Sequence, residues 1–360
     1  MKKDYYNVIG VMSGTSLDGV DLAHIQFHIK NKKWTFEILE CETISYDSDW
    51  ISILKTAVDY TENQLDELNK NYTKLLASII TNFISRHTLE NLDAVCSHGH
   101  TILHQPQNGF TLQIGNLPEI AKLTQQNIVC DFRVQDVLLG GQGAPLVPIG
   151  DRILFHEYDY CMNLGGFSNV SFEKNNSRIA FDISAVNTVL NFYANQLGLD
   201  YDDKGKISRT GQCNSDLLNE LNSLDFYKTP PPKSLGFEFV KEIILPMIER
   251  YSISVEDKLH TFTKHVSIQI ALALNSFETQ KNQKSMLITG GGAYNDFLIE
   301  RIQFHLPEMQ IIIPSAKILE FKEALIFGLL GVLKMREEVN ALQSVTGAFH
   351  DHSSGVIYSR

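Results

Sequence analysis

Ile9-Gly10-Val11-Met12-Ser13-Gly14-Thr15-Ser16-Leu17-Asp18-Gly19-Val20-Asp21 sets small hydroxyl residues and glycines between two apolar strands, with carboxylates at Asp18 and Asp21. Such a turn suits a polyphosphate laid against bare backbone. Glycine lets another group approach closely, and successive N–H groups in a turn form an anion-binding nest. A carboxylate in the same loop could hold or position Mg²⁺ on that phosphate. The same residues also describe an ordinary Asp-Gly hairpin, so this stretch alone leaves both readings open.

Strands are expected at residues 8–11, 20–29 and 34–43, followed by a long helix at 64–83 whose apolar positions recur on one face. Short strands at 93–96 and 128–131 lead into Ser97-His98-Gly99-His100-Thr101 and end at Asp131-Phe132-Arg133. After Gly140-Gly141-Gln142-Gly143-Ala144-Pro145 the pattern starts again, with strands at 160–164, 170–172 and 178–183 and a Gly-Ser-polar turn at 165–169. The layout of residues 8–43 thus recurs, in architecture and not in residue identity. Helices are expected at 187–198 and 262–277, then a strand at 286–289 running into Gly290-Gly291-Gly292-Ala293 and a helix from about Asn295. A last helix, 324–339, is apolar almost all round. This reads as an α/β protein with a first domain at 1–137, completed by about 345–360, and a second at 138–344 carrying Asp182.

With 360 residues, 43% hydrophobic and 20% charged, the chain has the composition of a globular protein that folds in two domains. No apolar run approaches the ~18 residues that cross a bilayer, and the first residues lack an export leader's apolar region. Five scattered cysteines with no C-x-x-C spacing read as free thiols in a reducing compartment, so the expected location is the cytoplasm. A net charge of −11 argues against nucleic-acid and anionic-membrane partners. There is no P-loop, no dinucleotide fingerprint and no G-x-S-x-G elbow. His98, His100 and His104 alternate, but no neighbouring cysteine or carboxylate completes a zinc site, and His350-Asp351-His352 reads as a solvated tail.

Three glycine turns remain: 13–19, 165–169 and 290–293. Two strand-to-strand loops followed by a Gly-Gly-Gly loop are the layout of the actin and sugar-kinase superfamily of ATP-binding proteins. Gly10-Val11-Met12-Ser13-Gly14-Thr15-Ser16-Leu17-Asp18-Gly19 resembles the hallmark of the anhydro-N-acetylmuramic acid kinases. Further resembling blocks are Ser97 to Thr101, Gln113-Ile114-Gly115-Asn116, Asp131-Phe132-Arg133, Gly140 to Pro148 and Asn163 to Asn169. Phe181-Asp182, Pro232-Lys233-Ser234-Leu235-Gly236, Gly290 to Asn295 and Val345-Thr346-Gly347-Ala348 complete the set.

The resemblance implies two ribonuclease-H-like (actin-like ATPase) domains with a cleft between them. It implies ATP and Mg²⁺ as cofactors, with phosphorylation of O6 of 1,6-anhydro-N-acetylmuramic acid while water attacks C1. The product would be N-acetylmuramic acid 6-phosphate, in peptidoglycan recycling, made by a homodimer. On matching positions, Asp182 is the base. Ser13, Gly14, Thr15, Ser16, Asp18, Gly165, Gly166, Gly290, Gly291, Gly292 and Asn295 meet ATP, with Asp18 also the carboxylate for Mg²⁺. His98, Thr101, Arg133 and Glu323 meet the sugar, Glu323 from the start of the last helix. The chain departs from the family after the base, where Ile183-Ser184-Ala185-Val186 stands in place of a glycine- and proline-containing run, and at Gly236-Phe237-Glu238, which lacks the common arginine. Two other readings stay open: a kinase for a different amino sugar, and a catalytically silent ATP-binding regulatory protein.

Overall fold

A computed structural model describes residues 2–14, 16–277 and 284–360, so that Thr15 and the end of the 262–277 helix's following loop lie outside the described residues. Strands β1 (Tyr5–Ser13), β2 (Val20–Lys30), β3 (Lys33–Ile44), β4 (Ala94–Gln105), β5 (Phe110–Ile114) and β6 (Ile128–Cys130) lie in one sheet. A second sheet holds β7 (Tyr160–Leu164), β8 (Phe167–Lys174), β9 (Ser177–Ala185), β10 (Lys284–Thr289) and β11 (Met309–Ile312), while β12 (Val356–Tyr358) returns to the first and pairs antiparallel with β6.

The two sheets share one plan. In the first the order is β3-β2-β1-β4-β6, antiparallel through β3-β2-β1 and parallel through β1-β4-β6. In the second it is β9-β8-β7-β10-β11, with the same senses. Even the turns correspond. Asn31 (φ 53) and Lys32 (φ 63) join β2 to β3, and Asn175 (φ 50) and Asn176 (φ 65) join β8 to β9. Positive φ at both central residues is the two-residue turn whose twist matches paired strands, and asparagine tolerates it. The repeat expected from the first three strands therefore extends to whole sheets.

The chain forms two compact units, Met1–Phe155 with Phe321–Arg360, and His156–Glu320. The first unit thus runs on beyond 137 and regains the chain at 321, well before 345. Helix Val147–Leu154 explains the later boundary: Asp151 pairs with Lys322 at 2.8 Å, and Phe155 meets Phe36 with ring centroids 5.6 Å apart. Helix Glu62–Arg86, started by a capping box of Thr61 and Gln64, lays Leu68, Tyr72, Leu76 and Phe83 in one core cluster with Ile9, Val11 and Leu22. The last helix runs Ala316–Met335 and breaks at Phe321 (φ −108, ψ 16). Beyond the break its backbone presses on β1, where a Cβ on Gly10 would lie 1.9 Å from the Ala324 carbonyl oxygen. Glycine is required there for backbone to meet backbone. Unit 2 buries Met162, Val170, Ile183 and Ile288 with Phe262, Val266 and Ile270 of helix Val255–Asn275.

Several elements are longer than the sequence pattern indicates, and this moves residues. Ser97 to Thr101 lie within β4, not beyond it. Asp182 is followed by three more residues of β9, and the turn at 165–169 shrinks to Gly165-Gly166 because Phe167 already pairs with Ala185. Glu323 lies two residues beyond the break at Phe321, in the first turn of the helix segment that follows, where the sequence places it. His350 and Asp351 are exposed, as the sequence suggests, but His352 is buried, with Nε2 3.5 Å from Asp136.

Candidate active site

In unit 2 the β7–β8 turn is locked to the start of helix Asn187–Gln196. The Gly166 carbonyl accepts from Val186 N (2.8 Å) and from Thr188 Oγ1 (2.8 Å), and Asn187 Nδ2 donates to Leu164 O at 3.2 Å. With the carbonyls turned inward, the N–H of Gly166 donates no hydrogen bond among the described residues. The Gly290 turn packs on the same strand end, where a Cβ on Gly290 (φ 84) would lie 2.5 Å from Asn163 Oδ1 and one on Gly292 2.8 Å from Leu164 Cβ. The N–H groups of Gly291 and Gly292 open a short 3₁₀ turn and so lack partners within it. Gly165, Gly166, Gly290, Gly291 and Gly292 therefore come together as backbone donors suited to phosphate. Asn295 is buried and caps helix Asp296–His305, its Oδ1 accepting from Leu298 N at 2.9 Å.

Beside these glycines lies a cavity of about 460 Å³ lined by Asn187, Asn191, Tyr201, Lys204, Gly291 and Tyr294 among others. Apart from Gly291 and Asn295, its walls were missed from sequence. Lys204 (φ 59) and Gly205 (φ 67) mark a tight Asp-Asp-Lys-Gly turn that could have been flagged, but nothing local ties that turn to residue 294. Gly292→Ala should push Leu164 and the turn apart, raising the KM for ATP about tenfold, or ~1.4 kcal/mol. Initial rates against ATP concentration check this.

Asp182 projects from the edge strand β9. The segment after the turn Pro230-Pro231-Pro232 lies alongside, with Asp182 N donating to Lys233 O at 3.0 Å and Leu235 N donating to Asp182 Oδ2 at 2.8 Å. Oδ1 accepts no hydrogen bond among the described residues. Burial pushes the carboxyl up from its ordinary value, and the Leu235 bond opposes this. The departing residues sit just behind it. Ser184 and Ala185 are buried β9 residues, Ser184 N donating to Ser168 Oγ at 3.1 Å and Ser168 Oγ donating back to Ser184 O at 3.1 Å.

In unit 1, Ser16 Oγ donates to Asp18 Oδ1 (2.7 Å), and both are exposed. Ser13 is buried, its Oγ within 2.7 Å of Tyr46 OH and 2.8 Å of His100 Nδ1, so its hydroxyl faces inward. Arg133 Nε donates to His98 Nε2 at 2.8 Å, while Arg133 Nη1 donates to Gly143 O at 2.7 Å. His98 must then be the neutral Nδ1–H tautomer, donating to Gly99 O at 3.0 Å; burial and the Arg133 charge hold its pKa well below the ordinary value. With both ring nitrogens used, His98 acts by orienting Arg133. Burial brings the Arg133 guanidinium down to about 10, opposed by the charges of Glu323 and Asp136. Solvent reaches Glu323, yet the surrounding protein pushes its carboxyl up; Arg133 and Lys322 oppose this, and Asp21 and Asp18 add to it. His98, Arg133 and Glu323 are thus one interacting group. Thr101 is bound to Gln113 Nε2 (3.3 Å), and His104 Nδ1 to Thr111 Oγ1 (3.0 Å).

The doubled strand order with glycine turns at the ends of β7 and β10 defines an α/β protein of the actin-like ATPase class, built from two ribonuclease-H-like domains. The particular branch follows from sequence comparison: residues 6–360 match the profile of the anhydro-N-acetylmuramic acid kinases, and the chain belongs to that family. The anhydro-N-acetylmuramic acid kinase of Francisella tularensis subsp. novicida is 33% identical over 96% of each chain. That of Mannheimia succiniciproducens is 32% identical over the whole of both. Among solved structures, the activator of the 2-hydroxyisocaproyl-CoA dehydratase from Clostridium difficile with bound ADPNP has a TM-score of 0.44 at 16% identity, covering 92% of this chain and 96% of that one.

Proposed function

We propose that the chain uses ATP to phosphorylate O6 of 1,6-anhydro-N-acetylmuramic acid with hydrolytic opening of the anhydro bridge, giving N-acetylmuramic acid 6-phosphate and ADP. Water oxygen bonds to C1 as the C1–O6 bond breaks. The electron pair remains on O6, which takes the γ-phosphoryl group, and the water proton passes to Asp182. The observation that carries this reading is the state of Asp182. One carboxylate oxygen is fixed by Leu235 N, the other is left to accept a proton, and burial raises its basicity.

Gly165, Gly166 and Gly290 to Gly292 would hold the phosphates of ATP, with the nucleoside in the adjoining cavity. Asp18 is a single exposed carboxylate, which suits a Mg²⁺ that keeps phosphate and water as most of its ligands. Mg²⁺ would neutralise charge on the transferring group. Gly14, Ser16 and the Ser13 backbone would complete the phosphate contacts from the first hairpin. Arg133, ordered by His98, and Glu323 would hold the sugar so that O6 lies in line with the phosphoryl group. A cytoplasmic homodimer is part of the same reading, and sedimentation equilibrium tests the assembly.

The deciding experiment mixes protein, ATP, Mg²⁺ and 1,6-anhydro-N-acetylmuramic acid in H₂¹⁸O and follows products by mass. A phosphorylated reducing sugar labelled at C1 is expected. Label elsewhere would remove Asp182 from its role. Retained ATP binding with no product from this or any other amino sugar would mark a silent nucleotide-binding protein.

A further inference from the structure

We infer that Tyr46 and His100 are positioning residues for nucleotide binding, holding Ser13 and through it the first phosphate hairpin by a hydrogen-bond chain that runs in one direction. This rests on the proposed ATP site. Four buried groups from separate elements meet under the hairpin: Ser13 at the end of β1, Tyr46 after β3, Tyr72 on helix Glu62–Arg86, and His100 on β4. Ser13 Oγ contacts Tyr46 OH (2.7 Å) and His100 Nδ1 (2.8 Å), and Tyr46 OH contacts Tyr72 OH. The His100 ring also packs against both tyrosines, with centroids 6.4 and 5.9 Å away.

Counting protons fixes the direction. Three hydroxyls supply three protons for three hydrogen bonds, provided that Nδ1 of His100 is an acceptor. Tyr72 then donates to Tyr46, Tyr46 to Ser13, and Ser13 to His100. With a proton on Nδ1 the chain would reverse and leave the fully buried Tyr72 only Ser13, already bonded to His100 and Tyr46, as a further acceptor for its proton. Burial independently lowers the His100 pKa to about 4 and keeps the ring neutral. Ser13 is the last residue of β1 and leads directly into the loop assigned to Mg²⁺ and phosphate, so the chain is anchored at the start of that loop.

The direction predicts unequal effects for two conservative variants. Tyr46→Phe removes the middle hydroxyl and breaks two of the three hydrogen bonds, whereas Tyr72→Phe breaks one and leaves each remaining proton with an acceptor. Tyr46→Phe should weaken MgATP binding about tenfold and raise the KM for ATP equally, with kcat changed less than about threefold; Tyr72→Phe should stay within about twofold. Direct titration of each protein with MgATP, beside steady-state kinetics and melting without nucleotide, provides the readout. Equal MgATP binding by wild type and Tyr46→Phe would overturn the inference, as would a larger loss in Tyr72→Phe. A loss in Tyr46→Phe confined to melting temperature would reduce the chain to a structural role, which also overturns it. Failure of the wild type to bind MgATP would instead remove the proposed ATP site itself.

Discussion

Asp182→Asn is expected to slow turnover about 10²–10⁴-fold, the usual worth of a positioned base, while MgATP binding stays near wild type. Asparagine is nearly isosteric, and its Oδ1 can take over the hydrogen bond from Leu235 N that now reaches Asp182 Oδ2. The loop after the proline turn should therefore stay in place, and what is lost is the capacity to take a proton from water. The cavity proposed for the nucleoside does not include Asp182, so the KM for ATP has no reason to move. A pH profile gives the same answer independently. Burial raises the Asp182 pKa, so log(kcat/KM) should fall on the acid side with a midpoint above the ordinary carboxylate value of 3.8, because only the ionised form is a base. That limb should be missing from the residual activity of the variant. Turnover by Asp182→Asn within tenfold of wild type would assign the base elsewhere.

How far the sequence could be read depended on whether each feature was local. The hairpins at residues 8–43 and 160–185 carry their strand alternation and turn residues within a few positions, so their repetition was legible, and the shared sheet order follows from it. The glycine turns stand out by their own composition, whereas Asp182, Arg133 and Glu323 were found through resemblance to a family, with no help from periodicity. Strand ends were the weak point. Nothing in Ser97-His98-Gly99-His100-Thr101 looks like strand interior, yet its pairing with β1 and β5 extends β4 through it. The same extension explains Ser184 and Ala185, which look like a damaged phosphate loop in sequence but are buried strand residues. The cavity wall and the Ser13 chain were out of reach for another reason. Tyr201, Lys204 and Tyr294 belong to distant segments, as do Tyr46, Tyr72 and His100, and only the fold brings each set together. Ser13 illustrates the limit: its place in the motif suggests a phosphate ligand, and the structure turns its hydroxyl to the interior.

Acid should destabilise this protein well before its carboxylates are protonated as a group. His98 and His100 in unit 1 and His265 in unit 2 are buried, and each is committed to the neutral form. His98 accepts from Arg133, and His100 accepts from Ser13. His265 lies between Asn222 Oδ1 at 2.7 Å and Tyr227 OH at 2.9 Å, donating to the first and accepting from the second. Burial lowers His100 from 6.5 to about 4 and His265 from 6.5 to about 3, while an unfolded chain titrates near 6.5. Between those values the unfolded state binds more protons than the folded one, so stability is full above about pH 6.5 and falls as pH drops toward the folded values. At pH 5 the linkage amounts to about 2 kcal/mol for each of His100 and His265. His98 adds to it in the same direction, because protonating Nε2 would set a second cation against Arg133. Asp131, raised to about 6 by burial, together with Asp182 and Glu323, works the other way, since each binds its proton more readily when folded. His100 and His265 together lose about 4 kcal/mol between pH 7.5 and pH 5 and Asp131 returns about 1.4 kcal/mol, so acid is expected to destabilise by a large share of a typical domain's stability. Thermal and urea unfolding at the two pH values measure it, and two units allow two transitions. Equal stability at both pH values would show that these rings are not held neutral.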